Sequence, residues 1–277
     1  MKRAINNSKS GYFTSFDGTK IYFEMNGKSN PAKSILFLHG LGGNLTAWDS
    51  QRLYFEKLGY KTIALGLRGH GFSDRPKDRT KCTPDIMTKD ILLFLNKNKV
   101  KNFILIGHSF GGIIALLLVG VYKVKPQALI LVSATYEFPV SSKLIWFSKI
   151  INLFSDVINH LPFALGKPGH MPLYKFKGTS DISPRRIIND LFYTTVQSYI
   201  SVFSNLFLFK NKEMLKNITC PTLIIHGEKD IFVSKKIAKN LHADIKNSEL
   251  VFVLSGNHFL VINNPDELTQ IIHKYLQ

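Results

Sequence analysis

Continuous apolar runs that alternate with helical patterns constrain the fold of this chain most strongly. Runs of four or five residues predict buried strands at 34–38, 61–65, 103–106, 128–132, 222–225 and 250–254. Helical patterns lie between or after them, at 45–58, 85–98, 110–122, 234–242 and 265–276. Strands that are apolar at every position are typical of a parallel sheet with helices on both faces. The alternation therefore predicts a doubly wound, mostly parallel α/β sheet.

Two departures from this alternation define the predicted domain organisation. Segments 12–16 and 20–25 flank Asp17-Gly18, a turn dipeptide that predicts an antiparallel hairpin at the start of the sheet. Between 136 and 216 helix and loop patterns stand without a convincing strand. Insertions of this length between strands usually cover an active site, and a purely structural subdomain is the alternative. We therefore expect a core domain of residues 1–135 and 217–277, and a helical cap (lid) of residues 136–216.

Charge and composition exclude several classes of protein. The net charge of +17 comes mostly from dispersed lysines, without the aromatic-basic motifs of nucleic-acid binding, so we expect a solvated basic surface and no nucleic-acid partner. No apolar run approaches the roughly 20 residues of a membrane span, and no apolar stretch follows the basic start as in a secretory leader. Cys82 and Cys220 are expected to be separate thiols. These features predict a cytoplasmic protein without stable membrane insertion, as a monomer or homodimer.

The motif with the clearest chemical meaning is Gly107-His108-Ser109-Phe110-Gly111-Gly112, which follows a predicted strand and opens an apolar helix. Glycines at both second neighbours of Ser109 allow a tight turn. The turn would lift the serine hydroxyl above the sheet edge, at a helix N-terminus whose N–H groups favour an oxyanion. A G-x-S-x-G motif carries this meaning only between a strand and a helix. Ser109 is thus predicted to be a catalytic nucleophile; a serine that only caps the helix is the alternative.

Three motifs in order make the chain resemble the α/β-hydrolase superfamily, as a serine esterase or lipase-like member with a helical cap. Besides the serine motif, His39-Gly40-Leu41-Gly42-Gly43 is similar to that family's oxyanion loop, and Arg68-Gly69-His70-Gly71-Phe72-Ser73 resembles its Arg-Gly-x-Gly-x-Ser segment. The resemblance implies that the N–H groups of Leu41 and Phe110 face a developing oxyanion. The family often carries aspartate where this chain has Gly66, which is outside the catalytic set.

A serine hydroxyl becomes a good nucleophile only when a positioned base takes its proton. His258 follows the last predicted strand, where the resemblance implies the family's histidine loop. An acid must orient that histidine, and the family pattern of glycine, two residues and aspartate implies Asp230, with Glu228 as the alternative. The chain order Ser109, Asp230, His258 is the one expected for this fold. No histidine spacing predicts a metal site.

Serine at this position, in place of the aspartate expected in dehalogenating or epoxide-opening relatives, favours acyl transfer through an acyl-enzyme. Aromatic residues of the predicted cap suit an apolar acyl or aryl group. The candidate substrate contacts are His39, Phe138, Trp146 and Phe192, whereas Arg185-Arg186 is expected on a solvated face.

The sequence therefore predicts a hydrolase of small to medium apolar carboxylic esters that needs no metal or organic cofactor. A lactonase, a monoacylglycerol lipase, a C–C bond hydrolase and a perhydrolase would share this machinery and stay open as alternatives. A ligand receptor on the same fold is the alternative from another class, and a polyanion-binding protein, which only the net charge supports, is a third.

Overall fold

A computed structural model of the chain describes residues 9–27, 34–137, 168–170, 172–194, 198–199, 202 and 211–277. The strands in these residues are β1 Lys9–Thr14, β2 Lys20–Asn26, β3 Ser34–Leu38, β4 Lys61–Leu65, β5 Phe103–His108, β6 Ala128–Val132, β7 Thr222–Gly227 and β8 Ser248–Val253. The α-helices are α1 Asp49–Lys57, α2 Pro84–Lys97, α3 Phe110–Gly120, α4 Pro184–Tyr193, α5 Lys235–Asp244, α6 Leu260–Asn263 and α7 Pro265–Tyr275. Short 3₁₀ helices form at Leu45–Trp48, Arg79–Cys82, Leu173–Phe176 and Glu213–Asn217.

The strands form one sheet in the order β1-β2-β4-β3-β5-β6-β7-β8. β1 and β2 pair antiparallel with Thr14 opposite Lys20, so the predicted hairpin is confirmed. β2 also runs antiparallel to β4, whereas every later pair of neighbours is parallel. The predicted doubly wound, mostly parallel sheet with an antiparallel start is therefore confirmed.

Helices on both faces explain why the strands are apolar at every position. Within β3, Leu36 and Leu38 point into a core that includes side chains of α2, α3 and α5. Ile35 and Phe37 point into the opposite core, which includes side chains of α1 and α7. Successive side chains of a strand alternate between the two faces, so both sets must be apolar. All residues of α3 are buried, as its continuous apolar pattern predicts.

The segment that follows β4 is fixed by a buried arginine. Arg68 forms ion pairs with Asp90 at 2.6 Å and with Asp17 at 2.9 Å, which join the hairpin turn to α2. Ser73 Oγ donates to the Gly66 carbonyl at 2.7 Å. A Cβ at position 66 would lie 3.1 Å from Ser73 Oγ, so a glycine suits this close contact.

Between β6 and β7 the described residues contain α4, two of the 3₁₀ helices and an isolated bridge between His70 and Thr194. Phe138 and Trp146 lie outside the described residues, as does most of the segment around them. The cap at residues 136–216 and its boundaries therefore stay a prediction.

Two expectations from composition can be compared with the structure. Cys82 is buried and Cys220 is half-buried, and both are free thiols, as expected. Across the described ranges, no helix combines the length and the apolar character that crossing a membrane requires.

Candidate active site

Ser109 stands at the sharp turn between β5 and α3. Its backbone has φ 50° and ψ −114°, a conformation that is rare for a residue other than glycine and costs about 1–3 kcal/mol. The Ser109 N–H donates to the Val132 carbonyl at 2.9 Å, and its carbonyl accepts from the Gly112 N–H at 2.9 Å. These bonds hold the turn in place, and strain of this kind is characteristic of functional sites.

The two glycines that flank Ser109 are required by close backbone contacts. A Cβ on Gly107 would lie 2.5 Å from the Gly111 carbonyl oxygen. A Cβ on Gly111 would lie 2.4 Å from the carbonyl oxygen of Leu38, at the end of β3. The serine motif therefore brings α3 against β5 and against the loop that follows β3.

Ser109, His258 and Asp230 form a hydrogen-bonded chain. His258 Nε2 lies 2.9 Å from Ser109 Oγ, and His258 Nδ1 lies 2.8 Å from Asp230 Oδ2. The other carboxylate oxygen of Asp230 accepts from the N–H groups of Phe232 and Val233, each at 2.9 Å. These bonds leave Nδ1 as the donor to Asp230 and Nε2 as the acceptor from the serine hydroxyl.

The charge of Asp230 is stabilised in spite of its burial. Burial by itself raises the pKa of this carboxyl, but the hydrogen bond and the charge of His258 lower it, and the net pKa lies below its ordinary value. Glu228 is instead partly exposed and pairs with Lys235 at 3.5 Å. The structure thus places Asp230, rather than Glu228, against His258.

The loop at His39–Gly43 packs directly against the serine turn. A Cβ on Gly40 would lie 3.4 Å from Ser109 Cβ. Among the described residues, the backbone N–H groups of Leu41 and Phe110 donate no hydrogen bond. Phe110 is also the first residue of α3, where an N–H group has no partner within the helix. Both N–H groups can therefore donate to a bound oxygen.

His39 is fully buried and stabilises this loop through hydrogen bonds. Its Nε2 accepts from the Leu67 N–H at 3.0 Å, and its Nδ1 donates to the Gly40 carbonyl at 2.8 Å. Both ring nitrogens are used within the protein, so His39 supports the loop, and its contact with substrate stays a prediction. A histidine in a glycine-rich loop gives no sequence signal that separates support from contact.

His70 supports the same loop from the neighbouring segment. Its Nε2 accepts from the Gly42 N–H at 3.2 Å, and its Nδ1 donates to the Arg68 carbonyl at 3.0 Å. Burial lowers the pKa of His70 to about 4. Accepting from Gly42 requires the neutral ring, so the loop depends on an uncharged His70.

The buried neutral state of His70 predicts acid sensitivity. The unfolded chain binds a proton at this residue below about pH 6.5, whereas the folded chain does so only near pH 4. Stability from this group is therefore complete above pH 6.5 and is lost as pH falls toward 4, with a slope of about 1.4 kcal/mol per pH unit. We expect His70→Gln, which keeps an acceptor, to reduce the pH slope of the unfolding free energy by about that amount in urea titrations.

The pH slope must be compared between variants because Asp190 changes the stability in the opposite sense. Burial raises the pKa of Asp190 to about 7, so this group stabilises the fold as pH falls below 7. His242 is exposed, so His242→Gln serves as the control for the same chemical change outside the buried loop. Equal slopes in wild type and His70→Gln would contradict a neutral, buried His70.

The segment between β6 and β7 contributes polar residues to the site that the sequence did not predict there. Arg185 is exposed as expected, but Arg186 is only 2% exposed and is not on a solvated face. Its guanidinium lies 3.5 Å from the ring centroid of Phe259. Arg186 and Asp190 line a cavity with Leu41 and His108. Polar residues at helical spacing ordinarily predict an exposed face, which explains the error.

The other three predicted substrate contacts stay predictions. Phe192 lies on α4 and is 43% exposed. Phe138 and Trp146 belong to the part of the chain that the structure does not describe. No group of three or more His, Cys, Asp or Glu side chains within the described ranges is arranged to hold a metal ion.

Comparison with known proteins adds independent information. A family model described as alpha/beta hydrolase fold matches residues 33–265. Protein ABHD8 of Homo sapiens is 23% identical over 245 residues, which cover 87% of this chain and 54% of that protein, so the chain spans about half the length of this relative. The bifunctional esterase/perhydrolase DCH of Acinetobacter calcoaceticus is 28% identical over 252 residues, covering 87% and 90%. The solved esterase EaEST from Exiguobacterium antarcticum is 24% identical with a TM-score of 0.75, covering 96% and 99% of the two chains, and it supports the fold.

Proposed function

The chain belongs to the α/β-hydrolase fold family, and on that premise we propose that it is a serine hydrolase of carboxylic esters. Ser109 is the nucleophile, His258 is the general base and Asp230 orients His258. The observation that carries the proposal is the continuous chain of hydrogen bonds, at 2.9 Å from Ser109 to His258 and 2.8 Å from His258 to Asp230. Nucleophile, base and orienting acid within hydrogen-bond reach are what activation of a serine requires.

Acylation follows from this geometry. Ser109 Oγ attacks the ester carbonyl carbon while His258 Nε2 takes the hydroxyl proton, and the anionic Asp230 stabilises the imidazolium that forms. The N–H groups of Leu41 and Phe110 donate to the oxyanion of the tetrahedral intermediate. One such donor is worth about 2.7–4 kcal/mol of transition-state stabilisation. The intermediate collapses when His258 gives its proton to the departing alcohol, which leaves an acyl-Ser109 ester.

Deacylation repeats these steps with water in place of the alcohol. His258 takes a proton from the water as its oxygen attacks the acyl carbon, and then returns a proton to Ser109 Oγ. The products are a carboxylic acid and the regenerated serine. The same two N–H groups stabilise the second oxyanion.

Aromatic side chains beside the imidazole favour apolar esters. The ring centroids of Phe232 and Phe259 each lie 5.2 Å from that of His258. Phe232 and its neighbour Ile231 remain 45% and 62% exposed, so an apolar acyl or aryl group has apolar surface beside the catalytic base. Few polar groups among apolar walls are typical of sites for small organic ligands.

We also place the predicted cap, residues 136–216, over this site. The support comes from its described part, since Leu173, Arg186 and Asp190 line a cavity together with Gly40 and Leu41. Segments that join in this way with an active-site loop commonly control access to it.

A substrate panel tests the proposal. Aryl esters of increasing acyl length, lactones, monoacylglycerols and vinylogous diketones are offered to wild type, and hydrogen peroxide is offered with short carboxylic acids. We expect turnover of apolar aryl esters above the rates for the other groups. A higher kcat/KM for another group would move the assignment to that reaction. No turnover, together with a conformational change on ligand addition, would favour a receptor and contradict the proposal.

A further inference from the structure

Asp181 connects the two loops that carry the base and the acid. Its Oδ1 accepts from the backbone N–H of His258 at 3.0 Å, and its Oδ2 accepts from the backbone N–H of Ile231 at 3.2 Å. Ile231 directly follows Asp230, so one carboxylate holds both loops. Asp181 is only 4% exposed and comes from the segment between β6 and β7.

The segment that carries Asp181 is fastened to the histidine loop by further bonds. The Thr179 carbonyl accepts from Asn257 Nδ2 at 3.1 Å and from Asn263 Nδ2 at 2.9 Å. The Gly178 N–H donates to Asn263 Oδ1 at 2.7 Å. This backbone therefore has a fixed position relative to the loop on which His258 lies.

Arg186 fixes the same segment from the other side. Its guanidinium donates to the backbone carbonyls of Asp181 at 2.6 Å and Ser180 at 3.0 Å. These bonds of Arg186 go to main-chain oxygens, whereas the Asp181 carboxylate accepts from the backbone N–H groups of His258 and Ile231.

We propose that Asp181 is a positioning residue, which holds the loops of His258 and Asp230 in register so that the imidazole reaches Ser109. This inference rests on the proposed function and adds a residue to it. An imidazole displaced by about 1 Å is enough to cost about 10²-fold in rate.

The test compares Asp181→Ala and Asp181→Asn with wild type. Asp74→Asn is the matched control, since the Asp74 carboxylate also accepts a backbone N–H of a distant segment, that of Lys20 at 2.8 Å. Active sites are counted by fluorophosphonate titration, and kcat per titrated site and KM are measured separately.

We expect kcat per titrated site to fall about 10- to 100-fold in Asp181→Ala, with KM within about threefold. Asp181→Asn should lose less, because its amide keeps one acceptor. Asp74→Asn should match wild type in both quantities.

Two outcomes overturn the inference. One is an Asp181→Ala enzyme whose kcat per site equals that of wild type. The other is a loss of activity that follows only the number of titratable sites, which would make Asp181 merely structural. If wild type itself neither reacts with the probe nor turns over esters, the proposed function fails.

A crystal structure of Asp181→Ala gives an independent test of positioning. A distance beyond about 3.5 Å between His258 Nε2 and Ser109 Oγ supports positioning, and an unchanged distance contradicts it.

Discussion

Replacing Ser109 with alanine should lower kcat for aryl esters by about 10⁵- to 10⁶-fold. The change removes the atom that forms the acyl-enzyme, so the remaining rate reflects only the binding of substrate and the N–H groups of Leu41 and Phe110. KM should change little, because ground-state binding does not depend on the hydroxyl. The measurement is steady-state hydrolysis of an aryl ester, with the protein shown to be folded by its thermal unfolding.

Ser133 provides a matched control for this variant. It also follows a strand, has a positive φ of 47° and is buried, and its N–H donates to Ile225 at 2.9 Å. Ser133→Ala should keep kcat within about threefold of wild type, since Ser133 Oγ has no hydrogen-bond partner among the described residues. A Ser109→Ala protein that retains a tenth of wild-type activity would remove Ser109 from the mechanism.

Replacing Asp230 with asparagine should lower kcat by about 10⁴-fold. The side chain keeps its size, but its amide nitrogen can face His258 Nδ1 as a donor. The imidazole then carries its proton on Nε2, the atom that must accept from Ser109, and the imidazolium loses its counter-charge. The effect should be on kcat at every pH rather than on KM.

Glu228→Gln is the control for Asp230→Asn. Glu228 lies two residues away in the same loop and pairs with Lys235 near solvent, so its loss should change kcat by less than about threefold. A larger loss in Glu228→Gln than in Asp230→Asn would identify Glu228 as the acid and contradict the assignment.

The sheet could be predicted because its information is local. Residues 35–38 are apolar at each position, and a strand covered on both faces buries them all. The serine turn could also be predicted, because close backbone contacts require its glycines. A Cβ on Gly107 would be too close to the Gly111 carbonyl, and a Cβ on Gly111 would be too close to the Leu38 carbonyl. Pattern and steric requirement agree at these places.

Long-range polar contacts could not be predicted in the same way. Asp181 meets the backbone of His258, a residue 77 positions away, and nothing in its own neighbours signals that partner. Arg186 is buried by contact with Phe259, although its helix pattern favours solvent. The supporting role of His39 could not be predicted for a related reason, because its partners at Leu67 and Gly40 are backbone groups that give no sequence signal.

Labelling with a fluorophosphonate, followed by mass-spectrometric mapping of the modified peptide, tests most directly whether Ser109 is an activated nucleophile. The reagent reacts with a serine only where a base and an oxyanion site act together. We expect one label per chain, on Ser109, at a rate that falls strongly in Asp230→Asn and not in Glu228→Gln. A label on another residue, or equal labelling of wild type and Ser109→Ala, would contradict the assignment.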